Sequence, residues 1–153
     1  MLSGKYTLPD ILERRSKKGA RWFMIIAILG IINSAIVNYT DSYINLFAGL
    51  GFMQIADGLA QKYRYYYEGA FFFSAAFNIM FALLFVFIGI RSKAYSFGWF
   101  LTGLIIYFID SLIFLAYLEG KSFMFHMLIM FFLIAGFISV KQINRRRIKE
   151  NTP

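Results

Sequence analysis

Two ionisable side chains in the apolar second half of the chain have a spacing that could support proton or ion binding. Asp110 precedes Glu119 by nine residues, and His126 follows Glu119 by seven. If the chain turns near Glu119, the Cα atoms of Asp110 and His126 differ in depth by about 3–5 Å at 1.5 Å per residue. Ionisable groups within membrane segments often mark proton or ion pathways. An Asp110–His126 hydrogen bond is therefore feasible, a contact between Asn33 and Asp110 is the other natural pair, and His126 by itself is expected to be a core histidine with its hydrogen bonds satisfied.

Four further polar residues in apolar segments have a simpler interpretation. They are Asn33, Gln54, Asp57 and Asn78. Polar side chains commonly bond across membrane helices, at about 0.6 kcal/mol each, without any transport role. We expect this packing role for the amides, whereas both roles stay open for Asp110. Asp57 lies near the end of its apolar segment and could reach the membrane interface.

Catalytic, cofactor and metal sites are not expected. The chain has no cysteine and one histidine, which excludes thiolate chemistry and argues against a histidine-rich metal site. Asp110 and Ser111 are adjacent, so on a helix their side chains point about 100° apart and do not form a nucleophile–base pair. The sequence predicts a protein that is not an enzyme.

The composition indicates a membrane protein with several spans. The 153 residues are 59% hydrophobic and 20% aromatic, with a formal net charge of +8, and the apolar residues form long unbroken blocks. The basic residues flank these blocks, which favours contact with anionic lipid over nucleic acid. The residues expected to contact headgroups on the cytoplasmic side are Lys141, Arg145, Arg146 and Arg147.

The chain divides into a basic arm, one transmembrane bundle and a basic tail. The arm covers residues 1–19 and is expected to form an amphipathic helix or a solvated segment on the cytoplasmic side. Four blocks are long enough to span the bilayer, and a shorter one covers residues 44–60. The spans are 20–38, 69–90, 96–118 and 122–140, and the cytoplasmic tail is 141–153.

Charge distribution decides whether the 44–60 block crosses. With four spans and both ends in the cytoplasm, 13 Lys and Arg residues lie on the cytoplasmic side and 3 on the far side. With five spans the two sides hold 9 and 7. The positive-inside rule favours four spans, and five spans stay the alternative.

An apparent internal repeat agrees with four spans. Trp22 aligns with Trp99, and the pair Asn33-Ser34 aligns with residues 110–111 (DS) at the same offset. Two hairpins repeated in parallel require the first and third spans to cross in the same sense. The four-span arrangement provides this sense, and it places Asn33 at a depth similar to that of Asp110.

The 44–60 block is predicted to be a re-entrant or interfacial helix. It contains Gly49, Gly51, Gln54 and Asp57, and irregular backbone at membrane depth persists only where protein or water shields it. Gly49 and Gly51 are expected to allow close packing. On the first span, Gly30 and Ser34, four residues apart, offer a second close-packing face.

The stretch "YFIDSLIFLAYLEGKSFMFHMLIMFFLIAGF", with the upstream "GLGFMQIADGLA", resembles a group of small uncharacterised bacterial integral membrane proteins. In that group an aspartate, a small residue and Leu-Ile-Phe precede a Phe-His pair in the next span. Residues 110–114 (DSLIF) and 125–126 (FH) occupy those places here. The resemblance covers about residues 22–137 and implies a bacterial-type membrane location without an assigned activity.

These features favour a non-enzymatic accessory or scaffold subunit of a bacterial inner membrane, working through helix packing and lipid contact. A homodimer or a larger membrane complex is the expected assembly, because four thin helices do not easily enclose a pore. The alternative is a small oligomeric transporter or channel coupled to ions or protons. Its polar seam would include Asn33, Asp110 and His126. An intramembrane enzyme acting on lipid ranks below both.

Overall fold

The structure, a computed structural model, describes residues 7–40 and 49–150, where every regular element is an α-helix. The helices are α1 (Leu8–Thr40), α2 (Gly51–Tyr63), α3 (Ala70–Lys93), α4 (Phe97–Ala116) and α5 (Gly120–Glu150). All except α2 are long and apolar enough to cross a membrane. The predicted all-α bundle of four spans is therefore confirmed. Residues 1–6 of the arm, 44–48 of the short block and 151–153 of the tail lie outside the described residues.

The first and last helices of the chain are longer than the spans expected from the sequence. α1 begins at Leu8 and continues through the basic arm, and α5 continues through the basic tail to Glu150. Thr7 precedes α1, and its backbone N–H and hydroxyl both donate to Asp10 Oδ2, at 3.0 and 2.7 Å. These bonds lower the pKa of the Asp10 carboxyl. A carboxylate in the first turn of a helix also interacts favourably with the helix dipole.

α1 packs against α3 and α5 around an aromatic core. The ring of Phe23 contacts those of Phe85 and Phe100, with centroids 6.2 and 5.3 Å apart. α1 and α5 approach closely at Gly19 and Gly136, where a Cβ added to Gly19 would lie 2.7 Å from the Gly136 Cα. Only glycine on both helices permits this separation, so the pair fixes the crossing of α1 and α5.

Tyr95, in the turn between α3 and α4, brings three chain segments to one end of the bundle. Its ring lies 5.8 Å from Lys17 Nζ on α1 and 5.0 Å from the Arg147 guanidinium on α5. Its carbonyl accepts a hydrogen bond of 3.1 Å from Asn144 Nδ2. The start of α1, the α3–α4 turn and the end of α5 therefore share one end. The α4–α5 turn lies at the opposite end.

The short helix α2 begins deep in the bundle. A Cβ on Gly30, near the middle of the apolar part of α1, would lie 2.7 Å from Met53 Sδ and 3.5 Å from Leu50 Cδ1. Further along, Gln61 Nε2 donates to the Val37 carbonyl at 3.1 Å. α2 therefore runs in the same direction as α1, from the middle of the bundle toward the end that holds the α4–α5 turn. The start of α2 thus lies at the depth of Gly30, and its later turns lie near Val37.

Candidate functional site

The carboxylate of Asp110 on α4 binds the start of α2. The backbone N–H of Gly51 donates to Oδ2 at 3.0 Å, and that of Phe52 donates to Oδ1 at 2.9 Å. The first N–H groups of a helix have no partner within the helix and carry a partial positive charge. A carboxylate supplied by another helix accepts hydrogen bonds from these N–H groups and offsets their partial positive charge. Asp110 is completely buried, so this contact is made away from water.

His126 lies on the other side of the same carboxylate. Its Nδ1 is 2.8 Å from the Ser122 carbonyl oxygen, which can only accept, so Nδ1 carries a hydrogen. Nε2 is then left 3.6 Å from Asp110 Oδ2. Two lone pairs facing each other would repel, so the arrangement is favourable when one proton lies between them. Both oxygens of Asp110 also accept from α2, so the imidazole and the start of α2 contact the same carboxylate.

Aromatic rings hold the imidazole of His126 in place. The Tyr107 ring stacks on it at 5.2 Å and 15°, and the Phe114 ring lies at 4.4 Å. The Tyr107 hydroxyl is buried and has no hydrogen-bond partner among the described residues. The imidazole is therefore enclosed by α4, which limits the directions from which water could reach Nε2.

A second buried carboxylate, that of Asp57 on α2, joins α2 to α1 and α3. Its Oδ1 accepts from Ser34 Oγ at 3.1 Å and Asn38 Nδ2 at 2.9 Å, both on α1. It also accepts from Ser74 Oγ at 2.6 Å and Asn78 Nδ2 at 2.8 Å, both on α3. The other oxygen, Oδ2, is buried without a hydrogen-bond partner among the described residues. Asp57 and Asp110 thus attach the two halves of α2 to different helices.

A cleft of about 380 Å³ lies between α2 and the end of α4. The residues that line it include Gln54 and Asp57, and the exposed Glu119 and Lys62 lie at its edge. Most of the remaining wall is apolar. The apolar side chains are Val37, Ile55, Leu59, Ile113 and Phe114. The cleft therefore combines an apolar surface with a small number of polar groups, as ligand pockets commonly do.

The structure brings most of the polar residues predicted from the sequence to the start and the middle of α2. Asp110 and His126 meet at its start, and Ser34 and Asn78 meet Asp57 at its middle. Asn33 is buried beside the segment that enters α2, because a Cβ on Gly49 would lie 2.5 Å from Asn33 Nδ2. Gly51 packs on α4, since its Cβ would lie 3.0 Å from the Asp110 carbonyl oxygen.

The expected interface contact is wrong for Asp57, and the basic residues of the tail lie away from the cluster. Asp57 is only 1% exposed and does not reach the interface; the four neutral donors around Oδ1 make its burial tolerable. The basic residues of the tail are exposed along the last turns of α5, where headgroup contact was expected. They are Lys141, Arg145, Arg146 and Arg147.

Sequence reasoning missed two partners of Asp57, although a signal for them exists. Residues 34–38 read SAIVN and residues 74–78 read SAAFN. In each, a serine and an asparagine four residues apart share one helix face. Both faces converge on Asp57 Oδ1, so Asn38 and Ser74 belong to the site together with Ser34 and Asn78. Such a pattern becomes informative only once an acceptor between the two helices is known.

The chain is thus an integral membrane protein with several spans, in which two buried carboxylates hold a short inserted helix. Comparisons with known protein families, with curated proteins and with solved structures find no match for it.

Proposed function

We propose that this protein is a non-enzymatic accessory or scaffold subunit that presents a fixed, inserted helix inside a membrane bundle. The observation that carries the proposal is the bonding of Asp110. Both of its oxygens accept N–H groups of α2, so the most conspicuous charge at membrane depth stabilises the structure itself. Because Asp110 is occupied inside the bundle, we expect partners to bind the outer surfaces of the bundle.

The outer surface offers two kinds of contact. α3 exposes large apolar side chains over its length, including Phe72, Phe73 and Leu83 at 73%, 74% and 62%. These side chains suit lipid or the helices of a second copy or a larger complex. The exposed basic end of α5 suits anionic headgroups at a cytoplasmic surface. Both ends of the chain are then cytoplasmic, in a cell membrane of the bacterial inner-membrane type.

Site-directed photocrosslinking in native membranes tests the accessory role. A photoreactive amino acid at position 72 on α3 is compared with the same group at Phe131 on α5, which is 66% exposed. We expect one of these faces to give a single protein adduct of fixed mass, because a specific partner covers one face. Two results together would contradict the accessory proposal. The first is that these positions and other lipid-facing positions give only lipid adducts, and the second is that the protein purifies as a monodisperse monomer.

The alternative is a small oligomeric transporter or channel, favoured by the contact between the side chains of Asp110 and His126. The distance of 3.6 Å between Nε2 and Oδ2 suits a site that holds one proton within the bundle. Proton or ion flux in liposomes that is abolished by Asp110→Asn and preserved by Ser111→Ala would favour this alternative. Ser111 is a matched control because, within residues 7–40 and 49–150, its hydroxyl bonds only to the Phe108 carbonyl of its own helix.

A further inference from the structure

The carboxylate of Asp57 has no balancing positive charge among the described residues. The four groups that donate to its Oδ1 are serine hydroxyls and asparagine amides, all of them neutral. No Lys or Arg of the described residues forms an ion pair with it. The segment 41–48, which precedes α2, contains neither residue type. A buried carboxylate is costly even when neutral donors bind it, so a proton or a cationic ligand on Asp57 would lower that cost.

The unpartnered oxygen of Asp57 distinguishes these two states. Oδ1 faces the donors of α1 and α3, whereas Oδ2 is buried without a partner among the described residues, and Asp57 is one of the residues that line the cleft. A proton on Oδ2 would remove the charge, yet the new hydroxyl would need an acceptor of its own. A cationic donor bound in the cleft would neutralise the charge and satisfy the oxygen at once.

The lining and the volume of the cleft suit an organic cation better than a bare metal ion. A metal ion such as Ca²⁺ takes 6–8 oxygen ligands, whereas Asp57 Oδ2 is one oxygen in a mostly apolar wall. The volume of about 380 Å³ suits a small molecule with a carbon body. Gln54, one helical turn before Asp57, has a buried Nε2 without an acceptor among the described residues. Both side chains project from the same face of α2.

We propose that this cleft binds a small organic cation through a primary ammonium group that donates to Asp57 Oδ2. The carbon body lies against the apolar wall, and a hydroxyl or similar acceptor on the ligand takes the Gln54 Nε2–H. An amino alcohol such as ethanolamine has this chemistry, either as a free amine or as the headgroup of a phospholipid. The proposal goes beyond the accessory role, which needs no ligand.

The two charged residues at the edge of the cleft have contacts of their own. Lys62 directs its Nζ over the ring of Tyr63, at 5.6 Å from the centroid. Glu119 is exposed and accepts from Ser122 Oγ at 3.1 Å. Glu119 could attract cations from water, so it supplies the control for a purely superficial charge effect.

Ligand-observed NMR on the full chain in phosphatidylcholine nanodiscs tests the proposal, with ethanolamine as the probe. Choline has the same charge but no N–H donor, and ethylene glycol has a hydroxyl in place of the ammonium. We expect saturable binding of ethanolamine that is at least about tenfold tighter than that of either analogue, because a charge-assisted hydrogen bond is lost in both. Repeating the titration with phosphatidylethanolamine in the nanodisc separates the sources: competition by the lipid identifies a headgroup site, and unchanged binding identifies a free amine.

Three variants locate the binding. Asp57→Asn should weaken ethanolamine binding at least about tenfold, and Glu119→Gln should leave it within about twofold. Gly58→Leu places a side chain in the cleft without removing any bond, because a Cβ on Gly58 meets nothing within 4 Å, so it should block binding in a folded protein. Equal binding by unmodified protein and by folded Asp57→Asn or Gly58→Leu would overturn the proposal, as would absence of saturable binding to the unmodified protein.

Discussion

The carboxylate of Asp110 lies 3.0 Å from the backbone nitrogen of Gly51, and the two residues belong to helices far apart in the sequence. This contact explains why position 110 needs a charge while the aligned position, Asn33, does not. The N–H groups at the start of α2 point toward α4, and only a carboxylate can neutralise their partial charge while accepting two bonds. Asn33 instead lies beside Gly49, just before the helix begins.

Asp110→Asn should destabilise the bundle by about 1–3 kcal/mol. The amide nitrogen cannot accept an N–H, so one of the two bonds from Gly51 and Phe52 is lost and a donor faces a donor. The midpoint of unfolding in a titration with sodium dodecyl sulfate measures the effect. Ser111→Ala, which removes a bond confined to α4, should cost less than half as much, and an equal loss in both variants would contradict the capping role.

Asp110 and His126 should be energetically coupled. If the pair shares one proton, removing either partner leaves the other without its counterpart, and the second substitution then costs less than the first. A double-mutant cycle with Asp110→Asn and His126→Gln should give a coupling free energy of about 0.5–3 kcal/mol. Strict additivity of the two unfolding free energies would show that the 3.6 Å contact contributes nothing.

The close crossing of α1 and α5 should tolerate no added methyl group. Gly136→Ala places a Cβ 2.8 Å from the Gly19 Cα, so the helices must separate, at a cost of about 1–3 kcal/mol. Gly58→Ala is the control, because its Cβ meets nothing within 4 Å. It should be neutral or stabilising by up to about 1 kcal/mol, since alanine favours a helix more than glycine does. The reverse ranking in unfolding experiments would refute this description of the crossing.

Single introduced cysteines should show on which side of the membrane each end of the bundle lies, because the chain has no cysteine of its own. Cysteines at positions 93 and 148 should react from one side of the membrane, and cysteines at 65 and 118 from the other. The positive-inside rule makes the first side cytoplasmic. An impermeant maleimide applied to intact cells and to inverted vesicles measures this. Labelling of positions 93 and 148 from opposite sides would contradict four spans.

The four apolar helices could be predicted from the sequence because hydropathy and length determine membrane spans. The contact of Asp110 with His126 could be anticipated because they lie nine and seven residues from Glu119, on either side of the turn. The cap on α2 could not be predicted, because its donors are backbone N–H groups that have no sequence signature. The burial of Asp57 was equally hidden, since it depends on Asn38 and Ser74 arriving from two other helices. The internal repeat stays a prediction.

Hydrogen–deuterium exchange of the α2 backbone amides tests most directly whether Asp110 holds the inserted helix. The unmodified protein is compared with Asp110→Asn and with Ser111→Ala in the same detergent. We predict that the first turn of α2, including the Gly51 and Phe52 amides, exchanges at least about tenfold faster in Asp110→Asn and is unchanged in Ser111→Ala. Unchanged exchange at Gly51 and Phe52 in folded Asp110→Asn would contradict the role of this carboxylate.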